Sequence, residues 1–253
     1  MKKLILAVAV MGAFAGIASA QEAAPAPAAT PEHSFTGNLA LVTDYRFRGI
    51  SQTFEKPAVQ GGFDYAHSSG FYVGNWNSNV SGNQFTDGSI EMDLYAGYKF
   101  AITPDFTADV GALYYYYPGA KTVAGADYNT TELYVAGTYK WFTAKYSYAV
   151  SDFFGAPDTD GSGYFELNAN FEIAEKTTLG LHFGNQSVSG QGMDVYDYND
   201  YKISLARDFG FATIGLAIVG TDADGAAYTY TNGAGKSKDL GGTTAVLSIS
   251  KAF

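Results

Sequence analysis

Apolar and polar residues alternate one by one through most of the chain. They do so in short runs that read as strands: Ser34 to Arg48, Pro57 to His67, Phe71 to Val80, Ser89 to Phe100, Phe106 to Tyr117, Thr131 to Lys140, Trp141 to Val150, Gly163 to Ile173, Thr177 to Gln186, Asp200 to Asp208, Phe211 to Gly220 and Gly242 to Phe253. The links between them alternate in length. Ser68-Ser69, Ile102-Thr103-Pro104, Lys140-Trp141, Ala174-Glu175-Lys176 and Phe209-Gly210 are tight, whereas Gly49 to Lys56, Ser81 to Gly88, Pro118 to Thr130, Ser151 to Ser162, Ser187 to Asn199 and Thr221 to Gly241 are longer and rich in Gly, Asp, Asn and Ser. A soluble β-protein has no reason to sort its connections in this way. A closed barrel with short turns on one rim and long loops on the other requires it.

Each strand separates into two faces. In Ser89 to Phe100, Ile90, Met92, Leu94, Ala96, Tyr98 and Phe100 fall opposite Glu91, Asp93 and Lys99; in Gly163 to Ile173, Phe165, Leu167, Ala169, Phe171 and Ile173 fall opposite Glu166, Asn168, Asn170 and Glu172. Trp141 to Val150 sets Phe142, Tyr146, Tyr148 and Val150 against Thr143, Lys145 and Ser147. The apolar set belongs to lipid and the polar set to a lumen. Arg207 shares the outward register, so it is expected at the short-turn edge, where a charge costs least. Aromatic residues crowd the strand ends, as in Tyr45 with Phe47, Tyr98 with Phe100, Tyr114 to Tyr117 and Tyr146 with Tyr148, and are expected to form headgroup-level girdles.

The fold class expected is therefore all-β: a transmembrane antiparallel up-and-down barrel of about 12 strands over residues 34–253. The chain begins as an exported protein does. Lys2 and Lys3 precede the apolar run Leu4 to Ile17, and Ala18-Ser19-Ala20 is an A-x-A cleavage site, so residues 1–20 read as a secretory signal and residues 21–33 as an Ala/Pro-rich periplasmic leader. A retained anchor fits less well, because no stop-transfer run follows.

Composition narrows the function classes. With 20 Tyr, 18 Phe, 30 Gly and 16% charged residues, the chain has no later apolar run long enough for a helical span. A formal charge of −10, more negative still without Lys2 and Lys3, argues against nucleic acid or anionic lipid as an electrostatic partner. There is no cysteine, hence no lipid-modified cysteine and no disulfide framework. No cofactor and no metal site is expected, since His33, His67 and His182 stand far apart in sequence. The Asp-rich turns at Asp158 to Gly161 and Asp222 to Gly225 lack the further ligands of a complete Ca²⁺ loop. His182 has no serine and acidic orienter in a hydrolase arrangement, so no catalytic residue is assigned.

Several blocks carry a resemblance. Tyr45-Arg46-Phe47-Arg48-Gly49-Ile50-Ser51-Gln52, Lys56 to Tyr65, Gly70 to Trp76 and Glu91 to Tyr98 are similar to the signature blocks of the TorF family of porin-like proteins, and weaker similarity runs on through Thr131 to Tyr134, Lys145 to Tyr148 and Tyr164 to Asn168. The resemblance implies an outer-membrane barrel with a channel role, and supplies neither a substrate nor a catalytic residue.

On alternation alone, Asp44, Arg46 and Arg48 project into the lumen near the long-loop rim, with Gln60 and Asp64 beside them on the next strand. Glu91, Asp93, Lys99, Asp109, Glu132, Lys145, Glu166, His182 and Lys202 line the rest, and Lys140 is placed on the same side. Two arrangements fit these charges. Opposed arginines and carboxylates form a constriction that selects solutes by charge and size, or they form an ion-pair network that fills a narrow lumen and stiffens its wall. The first makes the protein a passive channel for small solutes or ions. The second makes it a structural or adhesive barrel acting through its loops. Phe253, on one face with Ala245, Leu247 and Ile249, resembles the terminal aromatic signal read by outer-membrane insertion machinery. The partners expected are outer-membrane lipid, that machinery and small solutes or ions, with the chain a monomer.

Overall fold

The computed structural model describes residues 31–253; the signal and most of the leader lie outside the described residues. Twelve antiparallel strands close into a barrel. In chain order they are β1 (His33–Val42), β4 (Ala58–His67), β5 (Phe71–Asn79), β6 (Ile90–Thr103), β7 (Phe106–Tyr116), β8 (Thr130–Tyr139), β9 (Phe142–Ala149), β10 (Gly163–Ala174), β11 (Thr177–Ser187), β12 (Tyr198–Asp208), β13 (Thr213–Thr221) and β16 (Thr244–Ala252). Two small hairpins stand outside the wall, β2 (Arg46–Phe47) with β3 (Ile50–Ser51) and β14 (Thr229–Thr231) with β15 (Ser237–Asp239). Closure is what leaves no unpaired strand edge for lipid to meet.

The seam lies between β1 and β16, with Asn38 opposite Ala252 and Leu41 opposite Ile249. Phe253 completes it: its N–H donates to the Gly37 carbonyl at 2.9 Å and its carbonyl accepts from the Gly37 N–H at 2.8 Å. Both chain-terminal strands thus meet on the short-turn rim.

The strand faces sort as alternation requires. Leu94 is 48% exposed, Val135 53%, Ile203 50% and Leu216 52%, and these belong to an apolar belt around the outside. Such a surface is stable only against lipid or detergent. Tyr98, Phe100, Tyr114, Tyr116, Tyr146 and Tyr148 also face out. Tyr45, Phe47, Tyr115 and Tyr117 do not. They are buried inside, which corrects their placement in the girdle.

The first strand is the second correction. It ends at Val42 rather than Arg48, and the chain from Thr43 to Pro57 leaves the wall and folds inward as the β2–β3 hairpin. Its two-residue turn is Arg48-Gly49, with φ of 46° and 82°; consecutive residues in the left-handed region form the tight turn whose twist matches a hairpin. Gly49 also lies close against the wall, since a Cβ there would come within 2.3 Å of Thr221 Cγ2. Lys140 is the third correction: it sits in the exposed β8–β9 turn at φ 52°, where the tight link takes it off the lumen face.

Candidate functional site

Inside the long-loop rim, the segment from Asp44 to Glu55 crosses the lumen. Its base is tied by the Asp44 carboxylate, which accepts from Ser51 Oγ at 2.6 Å, Thr53 Oγ1 at 3.1 Å and Arg46 Nε at 2.5 Å. A segment inside a barrel has no lipid side, so both of its faces are covered by protein. One face sets Tyr45 edge-on to Trp76, with ring centroids 5.3 Å apart, and Phe47 against Tyr115 and Phe154 at 5.6 Å each. On the other, Ile50 and Phe54 pack with Tyr198 and Leu240.

The arginines hold this segment to different partners. Arg46 Nη1 donates to the carbonyls of Leu240 at 2.8 Å, Gly242 at 3.0 Å and Gly49 at 3.1 Å, joining the hairpin to the last long loop. Arg48 reaches the wall: Nη2 donates to both oxygens of Glu132 at 2.8 Å, and Nη1 to Gln186 Oε1 at 2.7 Å. Its guanidinium also lies 4.1 Å from the Tyr164 ring centroid and 4.7 Å from that of Phe47. A planar group that serves two acceptors from separate nitrogens and stacks on aromatic rings is what an arginine offers and a lysine does not. From above, Lys238 in β15 donates to the Phe54 carbonyl at 3.1 Å and pairs with Glu55 at 2.6 Å, and Gln84 bonds the Ser51 carbonyl.

Below the hairpin, the lumen carries a ladder of polar contacts along β4 to β12. Tyr45 donates to Glu91 at 3.0 Å, and Asp93 lies beside it, fully buried. Tyr95 donates to Asp64 in a short bond, and Tyr72, joined by a short bond to Tyr134, donates to Asp109 at 2.7 Å. Lys99 pairs with Asp109 at 3.6 Å, and Lys145 with Glu166 at 3.7 Å while lying over the Tyr134 ring. His182 joins Asp200 at 2.8 Å, Asn168 at 2.8 Å and Tyr164 at 3.1 Å.

The structure therefore brings the predicted inward residues together, but in two groups. Asp44, Arg46 and Arg48 form the infolded element. Gln60, Asp64, Glu91, Asp93, Lys99, Asp109, Glu132, Lys145, Glu166, His182 and Lys202 stand on the wall strands, at the inward positions expected of them. Sequence reasoning missed Tyr72, Tyr95, Tyr134, Tyr164, Gln186 and Asp200. Their signal was parity: Tyr134 shares a face with Glu132, Tyr164 with Glu166, and Asp200 with Lys202.

The opposite wall is different. Along β12, β13, β16 and β1 the inward positions hold Ser204, Ala206, Gly215, Ala217, Val246 and Ser248, and here a cavity of about 100 Å³ remains beneath the hairpin, bordered also by Val42, Asp44, Arg46, Gln60 and Lys202. At roughly 10–15 Å³ per water by the same measure, it has room for several waters. Among the described residues, the Lys202 side chain makes no hydrogen bond or ion pair within contact distance; it borders this cavity, with Glu166 and Asp200 as its electrostatic partners.

A closed antiparallel barrel with an apolar outer belt, a polar lumen and a loop folded into its mouth defines the porin class of fold. The chain belongs to the bacterial protein family of unknown function designated Gcw_chp, whose family model matches residues 26–253. Two solved porins share the fold. The KdgM porin, solved in complex with disordered oligogalacturonate, is 7% identical, with 87% of this chain and 98% of that chain covered and a TM-score of 0.52. The NanC porin is 10% identical over 87% of this chain and 98% of that chain, also with a TM-score of 0.52. No curated protein gives a significant match.

Proposed function

We propose that the protein is an outer-membrane channel for passive diffusion of small solutes or ions, in keeping with the TorF-like signature blocks of its sequence. Its conducting path runs along the small-residue wall formed by β12, β13, β16 and β1, and the infolded Asp44 to Glu55 segment narrows the mouth. The observation that carries this reading is the asymmetry of the lumen: bulky ion-paired side chains fill one side, while Ser, Ala, Gly and Val leave a hydratable cavity on the other. A segment that only plugged the barrel has no need of a thinned wall beside it.

Glu132, Asp109 and Glu166 are balanced by Arg48, Lys99 and Lys145, so the inward acidic excess that favours cations and neutral solutes over anions comes from Asp64, Glu91, Asp93 and Asp200. Lys202 is the opposing charge nearest the path. The reversal potential across a planar bilayer under a salt gradient tests this. Lys202→Glu shifts it toward stronger cation preference; an unchanged potential in a conducting variant contradicts a path beside Lys202.

A second reading is a closed barrel acting through its long loops, and the Arg48 ties to Glu132 and Gln186 favour it, because they fix the hairpin across the mouth. It predicts no ion flux from folded protein.

A further inference from the structure

On the outer face at the short-turn rim, the register of β1 and β4 sets His33 directly opposite His67, thirty-four residues later in the chain. The two imidazole rings have centroids 5.2 Å apart. Glu32 joins them: its carboxylate lies 3.6 Å from His67 Nε2, and its carbonyl accepts from the Ser68 N–H at 2.9 Å, which holds it over the β4–β5 turn. One ligand atom from each of the three residues lies within 4.8 Å of the others. Histidines scattered in the sequence are therefore gathered in space, contrary to the expectation that they stand apart.

The hydrogen bonds around the cluster point to ligation rather than to a plain surface pair. His33 Nδ1 is engaged by the Tyr65 hydroxyl at 2.9 Å; His67 Nδ1 lies 2.8 Å from Ser69 Oγ and accepts from the Ser69 N–H at 3.1 Å. Both Nδ1 atoms are thus engaged by neighbouring protein groups, and His67 Nε2 faces the Glu32 carboxylate. This is the arrangement of a metal-bound histidine, whose second nitrogen is held by an outer partner that fixes ring orientation. On His33 an Nδ1–H donated to the Tyr65 hydroxyl leaves a lone pair on Nε2; on His67 the Ser69 N–H occupies the Nδ1 lone pair, so binding through Nε2 takes the tautomer in which Nδ1–H donates to Ser69 Oγ in place of that contact.

We propose that Glu32, His33 and His67 form a binding site for a divalent late transition metal of the Zn²⁺ class. Two imidazoles and one carboxylate are the ligand types Zn²⁺ takes, and three protein ligands leave a fourth position open to solvent. Tetrahedral bonds of 2.0–2.2 Å place ligand atoms roughly 3.4 Å apart, so the side chains close by a small movement, which their exposure at the rim permits. The bound ion would cross-tie the chain entering β1 to the β4–β5 turn. The site is set by the β1–β4 register and the β4–β5 turn, whether or not the barrel conducts.

The experiment is a Zn²⁺ titration of tag-free, refolded protein against a chromophoric chelator, with folding checked by heat-modifiable migration. One ion per chain is expected, with at least tenfold weaker binding in His33→Ala and in His67→Ala, and about tenfold weaker binding in Tyr65→Phe, the scale of an outer-partner loss. Absence of stoichiometric binding, or unchanged affinity in the His33→Ala/His67→Ala double variant, overturns the proposal. Zinc-edge X-ray absorption of the wild-type protein reads the site without any variant: two imidazoles in the ligand shell support it, and a shell of oxygen alone overturns it.

Discussion

Arg48, at the turn of the infolded hairpin, donates two hydrogen bonds of 2.8 Å to Glu132 on β8, and both side chains are almost wholly removed from solvent. The pair joins the infolded hairpin to the wall itself. A buried pair is costly to assemble and more costly to break, because removing one member strands a charge in a poorly hydrated interior. Arg48→Ala is therefore expected to destabilise the barrel by about 3–5 kcal/mol, whereas replacing both members by apolar residues, as in Arg48→Met with Glu132→Leu, costs less, its remaining cost being the hydrogen bonds lost by Gln186 and Tyr115. Unfolding in urea, followed by heat-modifiable migration, measures both. Equal destabilisation by the single and double changes contradicts the pairing.

Much of this barrel was legible because lipid enforces alternation. Strands such as Ile90–Thr103 and Gly163–Ala174 carry charges on one face and apolar side chains on the other, and that contrast survives uncertainty about strand ends. The same rule misled at Tyr45 to Arg48. Arg-Phe-Arg alternates inside a lumen as cleanly as in a wall, and periodicity does not say that the segment has turned inward. Arg48-Gly49 was the readable mark, a two-residue turn between alternating residues. His33 and His67 were illegible for another reason: their meeting depends on the register of β1 against β4, which spacing alone does not set.

The lumen tyrosines need glycines across the strand. Tyr72 lies opposite Gly97, where an added Cβ would stand 2.3 Å from the Tyr72 hydroxyl and 2.7 Å from the Val110 carbonyl. The second of these contacts is with backbone, which has little room to yield. Gly97→Val is expected to cost about 1–3 kcal/mol or more through overpacking, seen as a lowered urea midpoint. A midpoint equal to wild type contradicts this packing.

Phe253 closes the seam with two backbone hydrogen bonds to Gly37, and its ring covers that glycine, whose added Cβ would lie 2.6 Å from Phe253 Cε2. Deleting Phe253 removes both bonds and, on the insertion-signal reading, the aromatic end that the machinery engages. Outer-membrane yield in cells is expected to fall, with loss of the heat-modifiable form. Full yield of folded barrel from the truncated chain contradicts it.

In the proposed channel the lumen conducts past an infolded segment. Replacing residues 45–54 by a short Gly/Ser turn removes the constriction while leaving every wall strand intact. Single-channel recording of the folded wild-type protein beside this variant is the most direct measurement. Small discrete steps in the wild type and clearly larger ones in the variant are predicted; folded wild-type protein that passes no current contradicts a channel, and equal step sizes in the two contradict the infolded segment as its narrowest point.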